Sequence, residues 1–94
     1  MNRSNVFVSD TAARVADSLQ AAYFRGMLAD ERAVVAQHLA EARARLAKRF
    51  QAGELHGVSR LKQEIRVREA EERNLDNLID ALDRRFGARW TASG

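Results

Sequence analysis

The apolar and polar positions of this chain recur at helical spacing, and between residues 22 and 51 they do so twice over. At about 100° per residue, Phe24, Leu28, Val35, Leu39, Ala42 and Leu46 fall on one side of a helix. Ala22, Gly26, Ala29, Ala33, Ala36, Ala40 and Ala47 form a second line, rotated from the first by about 130° on the same geometry. A helix with one seam of large residues and one of small residues can touch two neighbours at once. This stretch therefore predicts a central helix.

The flanks predict where that helix begins and ends. Ser9, Asp10 and Thr11 are N-cap candidates, because a short side-chain oxygen accepts an otherwise orphaned backbone N–H. From there to Ala52 nothing need interrupt the helix, since both seams pass through Gly26 without a phase jump. A C-cap at Gly26 followed by an N-cap at Asp30 is the alternative, and it would give a three-helix bundle. Lys48 and Arg49 suit the negative end of a helix dipole, and Gly53 suits the left-handed residue just beyond it. Residues 54–57 then form a short connection, and Ser59 is the expected cap of a second helix. In that helix Leu61, Ile65, Arg68, Glu72, Leu75, Ile79, Leu82 and Phe86 keep a 4-3 spacing, a heptad seam with two polar residues at its middle. Arg68 and Glu72 are read as long side chains snorkelling beside the seam; a register-setting polar layer is the other reading. Arg84, Arg85 and Gly87 repeat the basic-then-glycine ending, after which Trp90 is expected on a helix end and residues 91–94 are expected to fray.

These elements predict an all-α fold, an antiparallel helical hairpin. Its expected parts are an N-terminal arm over 1–9, helix 10–52, turn 53–58, helix 59–86 and a tail over 87–94. Short connections join antiparallel neighbours. A lone hairpin buries one stripe per helix, which is thin for a stable monomer. The small-residue seam therefore points to a homodimer, a four-helix bundle joined through close-packed alanines. Alanine's helix propensity accounts for many of the alanines but not for their heptad spacing.

The turn also fixes a register. Arg25 and Arg32 flank the large seam of the first helix, and Asp76 and Asp83 flank that of the second. With a reversal near residue 55, facing positions sum to about 108–110. Arg32 is then expected beside Asp76, and Arg25 beside Asp83.

Composition narrows the class. The 94 residues make one small domain. An apolar content of 46% with 31% charge exceeds what a disordered chain carries. With no proline and five glycines, long helices meet few breakers. No apolar run approaches a membrane span, and residues 1–8 lack the apolar core of a signal peptide. The absence of cysteine leaves no disulfide framework and fits a reducing compartment. Cytoplasmic residence is the expectation.

Charge is unevenly distributed. Residues 43–68 carry eight bases and two acids, net +6, whereas residues 1–42 carry four against five and residues 69–94 four against six. In a hairpin the bases gather at the turn, and Arg43, Arg45, Lys48, Arg49, Arg60, Lys62 and Arg66 are candidate contacts for phosphate or an acidic partner. Ordinary i,i+4 pairing, as in Glu41–Arg45 or Glu64–Arg68, is the structural explanation of the same residues. Only Phe50 interrupts the basic cluster, so stacking on single strands gains no support.

Nothing suggests catalysis or a cofactor. His38 and His56 belong to no metal-binding pair, and His38 with Glu41 falls short of a useful ligand set. The acids between Glu69 and Asp83 lie on a narrow helix with nothing to desolvate them. No nucleophile sits beside a histidine base and no glycine-rich phosphate loop occurs. Tyr23, Met27 and Val34 form an outer apolar patch, to be covered by Val6-Phe7-Val8 or left for another protein. The expected function is a non-enzymatic helical interaction or regulatory protein, with nucleic-acid binding through the basic end as the alternative.

Overall fold

A helix of 50 residues, α1 (Arg3–Ala52), turns back into a helix of 36 residues, α2 (Val58–Ser93). This computed structural model describes the backbone of residues 3–93 and the side chains of residues 11–91. The hairpin measures 76 × 25 × 16 Å. It is one helix layer thick, and among the described residues the buried side chains lie between the two rods.

Gly26 lies inside α1, which is unbroken there. The absence of a phase jump in the flanking seams is the physical reason: a break would have cost packing on both sides. α1 stops where expected. Gly53 adopts φ 70°, its N–H donates to Phe50 O at 3.2 Å, and the N–H of Glu54 donates to Arg49 O at 2.9 Å. These are the paired 5→2 and 6→1 bonds of a Schellman ending, which satisfy carbonyls that the helix leaves open. Gly57, at φ 78°, supplies the second left-handed residue, and its carbonyl accepts from the Leu61 N–H at 3.1 Å to start α2. Arg49 straps the turn, donating from Nη1 to the His56 carbonyl at 2.7 Å.

Several boundaries differ from expectation. α1 begins at Arg3, so residues 3–9, expected as an arm, are helical and the Ser9–Thr11 cap does not form. The backbone of Val6-Phe7-Val8 runs on along the α1 axis, about 30 Å from Met27 at 1.5 Å per residue. It does not fold back over Tyr23, Met27 and Val34, which remain 73%, 52% and 50% exposed; the side chains of residues 6–8 lie outside the described residues. α2 starts at Val58, so Ser59 sits in its first turn and Gly57 occupies the cap position instead. Gly87 does not end α2. Trp90, one turn beyond Phe86, stacks on its ring at 6.0 Å and donates from Nε1 to the Ser18 carbonyl at 3.1 Å. That contact with the extended α1 holds the last turns in helical form, against glycine's weak preference. Helix therefore continues to Ser93 through most of the expected tail, and Gly94 lies outside the described residues.

The core has two sections. Leu28, Val35, Leu75 and Ile79 form one cluster, with Leu82 packed against it. Leu39, Ala42, Val58 and Leu61 are buried nearer the turn. On α1 the buried line steps by sevens through Ala21, Leu28, Val35 and Ala42, with Leu39 interleaved. Phe24, expected in the seam, is 48% exposed because it falls on the flank of that line and Ala21 takes the inner position.

The expected register is present. Arg25 Nε donates to Asp83 Oδ1 at 2.5 Å and its Nη2 to Oδ2 at 3.1 Å. Arg32 grips Asp76 in the same forked manner, through Nε to Oδ1 and through Nη2 to Oδ2 at 3.4 Å. These hydrogen bonds, and then the arginine charges, hold both carboxyls below their ordinary range; the same bonds raise both guanidinium groups further. Each arginine occupies a heptad position that a leucine would otherwise fill, so the polar pair marks one alignment of the two rods.

Candidate functional site

Two of the three sides of α1 are left for something other than α2. The first carries the small-residue line. Gly26, Ala33, Ala40 and Ala47 are exposed, while Ala22, Ala29 and Ala36 are half-buried where they border the contact with α2. The same 4-3 spacing continues on both sides of the residues expected in this line. Val15 and Leu19 extend it toward the open end of the hairpin, and Arg43 and Phe50 fill its steps toward the turn. Val15, Leu19 and Phe50 are 55%, 68% and 50% exposed. Beside Leu19, a groove of about 670 Å³ is lined by Val15, Ser18, Ala22, Arg89 and Trp90. It exists because α2 runs on past Gly87, which brings Arg89 and Trp90 alongside α1.

The second uncovered side holds Tyr23 and Met27, which with Phe24 and Phe86 line a groove of about 660 Å³ across the hairpin from the first. Arg85 leans over Phe86, its guanidinium carbon 5.2 Å from the ring centroid.

At the turn, the structure divides the seven basic candidates. Arg43 pairs with Glu69 and Arg45 with Glu64, each at 3.2 Å, and Arg49 is committed to the turn. Lys62 lies over the Phe50 ring at 5.8 Å. Lys48, Arg60 and Arg66 are exposed and make no such contact among the described residues. A shallow hollow of about 360 Å³ is lined by Arg45, Lys48, Arg49, Ala52 and Glu54. The turn thus brings the candidates to one end of the molecule, but it consumes four of them internally. Exposed pairs of this kind are weak and exchange readily with solvent or a ligand.

Arg68, in the middle of the α2 seam, turns to Glu71 at 3.2 Å rather than to Glu72. Its Nε is buried without a hydrogen-bond partner, while its terminal nitrogens reach out from under the seam. That is a stem buried in an apolar layer with its head at the edge.

His38 and His56 stand apart on the surface. Among the described residues no three His, Cys, Asp or Glu side chains gather as a metal site would require, and no helix is long and apolar enough to cross a membrane. No family model, curated protein or solved structure matches this chain. What the geometry offers is surface: a helix face about 46 Å long from Leu19 to Phe50 at helical rise, small in the middle apart from Arg43, large at its ends, and exposed or half-buried along its length.

Proposed function

We propose that this protein is a small non-enzymatic interaction or regulatory module that works in the cytoplasm. It self-associates through the small-residue face of α1 into a four-helix bundle and presents a rigid helical surface to another macromolecule. The observation that carries this reading is the line from Leu19 to Phe50, which keeps heptad spacing over 32 residues and stays exposed or half-buried, while α2 buries only the neighbouring line. Propensity places alanine anywhere on a helix; packing places it on one face. The open grooves and half-exposed acids provide no water-excluded setting of the kind that tunes a catalytic group.

A second reading has its own support. Lys48, Arg60 and Arg66 stand free at the turn, and arginine forks match phosphate geometry. A pull-down with the full chain, run in parallel from untreated and nuclease-treated lysate, separates the two. Capture that survives nuclease and high salt, and is lost in an Ala33→Arg variant, supports the helical-face reading. Capture that vanishes after nuclease, with nucleic acid recovered beforehand and binding falling steeply with salt, overturns it in favour of the turn cations.

A further inference from the structure

The uncovered face of α1 is complementary to itself in one orientation. We infer that two copies pair antiparallel along it, with Ala22 of each facing Ala47 of the other and the two turns at opposite ends of the bundle. The inference rests on the self-association proposed above and adds its geometry.

Surface area speaks for a second copy as the occupant. A compact monomer of 10.6 kDa exposes about 5,500 Å², whereas this chain exposes 7488 Å². The excess, about 2,000 Å² per chain, is more than twice the roughly 800 Å² that each partner of a standard interface buries. Ten large apolar side chains are exposed among the described residues. A second hairpin laid along the face covers Val15, Leu19 and Phe50 together and turns a single helix layer into two.

The order of residues speaks for the antiparallel sense. The line is symmetric about the middle of residues 34 and 35: Ala22 falls opposite Ala47, Ala29 opposite Ala40, and Ala33 opposite Ala36. Leu19 then meets Phe50 at each end, a large pair closing a run of small ones. The one charged residue in the line, Arg43, faces the partner's Gly26. Gly26 has no side chain, and nothing lies within 4 Å of the place a Cβ would take, so the arginine stem has room there while its head keeps its pair with Glu69. In a parallel pair Arg43 would face its own copy, and Gly26 would face Gly26, leaving a gap with nothing to fill it.

The wider charge distribution agrees. Residues 43–68 carry eight bases and two acids, net +6. A parallel pair would set two such ends side by side, within about the 10 Å Debye length. The antiparallel pair separates the turns by about 60 Å along the bundle axis, from helical rise alone. It also leaves the free Lys48, Arg60 and Arg66 of each copy at opposite ends of one particle.

The chain has no cysteine, so single substitutions report contacts cleanly. The experiment mixes full-length Ala22→Cys and Ala47→Cys chains, oxidises them, and compares the mixture with each variant alone. A second pair, Ala29→Cys with Ala40→Cys, repeats it at independent positions, and circular dichroism checks helicity. The expected result is a disulfide-linked species of twice 10.6 kDa that contains one chain of each kind, forms in the mixture and is absent from either variant alone. Self-linking of Ala22→Cys or of Ala47→Cys alone overturns the antiparallel sense. A dimeric mass by light scattering with no cross-link at either pair overturns the face. A monomeric mass removes the self-association itself, and so distinguishes the failure of that reading from the failure of this geometry.

Discussion

Leu39→Ala is the substitution that most directly probes what holds the hairpin together. Leu39 is 2% exposed, and among the described residues it is the largest side chain so fully covered. Truncation to alanine removes the equivalent of about three buried methylenes, worth about 2 kcal/mol in transfer free energy. The cavity left behind adds to this, up to about 5 kcal/mol in rigid cores. Here the layer is only 16 Å thick, so neighbouring side chains and water relax into the gap, and the expected loss is about 2–3 kcal/mol. A chain of this size has a total stability of roughly 5–14 kcal/mol, so the loss is a sizeable fraction. Urea unfolding followed by far-ultraviolet circular dichroism, at one fixed protein concentration because self-association shifts the midpoint, reads it as a downward shift of about 1–2 M. Val34→Ala is the control: the residue is 50% exposed, and its midpoint is expected to stay within about 0.5 kcal/mol of the parent. A Leu39→Ala midpoint no lower than that of Val34→Ala would refute the assignment of the core.

Three further outcomes follow. Gly26→Ala in the isolated hairpin should gain about 1 kcal/mol, because the glycine is mid-helix with open space around it; a loss of self-association with that gain would mark Arg43 packing over the site. Ala33→Leu should weaken self-association by about 1–3 kcal/mol through overpacking, read as a rightward shift in the concentration at which mass doubles, while its helicity is unchanged. The forked Arg25–Asp83 and Arg32–Asp76 pairs lower both carboxyls from their ordinary value of 3.8, so their contribution is complete above that value and is lost as pH falls through the lowered ones. Urea midpoints should therefore drop on acidification, and the Asp76→Asn, Asp83→Asn double variant should show a flatter profile; an unchanged profile counts against the pairs.

The sequence revealed some of this architecture clearly. The core and the register were legible because they follow from heptad arithmetic plus one short turn: Leu28, Val35, Leu75 and Ile79 meet, and Arg32 reaches Asp76, once the chain reverses at Gly53 and Gly57. The helix ends were not. Gly87 carries genuine capping chemistry, but it is worth only about 1 kcal/mol, and Trp90 on the Ser18 carbonyl outweighs it; Ser9–Thr11 can cap a helix but do not break one, and α1 runs through them. Phe24 was misplaced for a similar reason: a large residue looks like core by type, while the smaller Ala21 holds the inner position by phase. At the turn, sequence counted bases but could not tell the strapped Arg49 from the free Lys48. The groove by Trp90 was invisible because it depends on α2 overrunning Gly87.

The central claim is that the alanine-lined face of α1 is an interface rather than a solvated surface. The most direct measurement is the mass of the wild-type chain in solution, by light scattering across a concentration series at low and at high salt. The account requires twice 10.6 kDa at the upper concentrations, with apolar contacts keeping that mass as salt rises. A mass of 10.6 kDa throughout would contradict it.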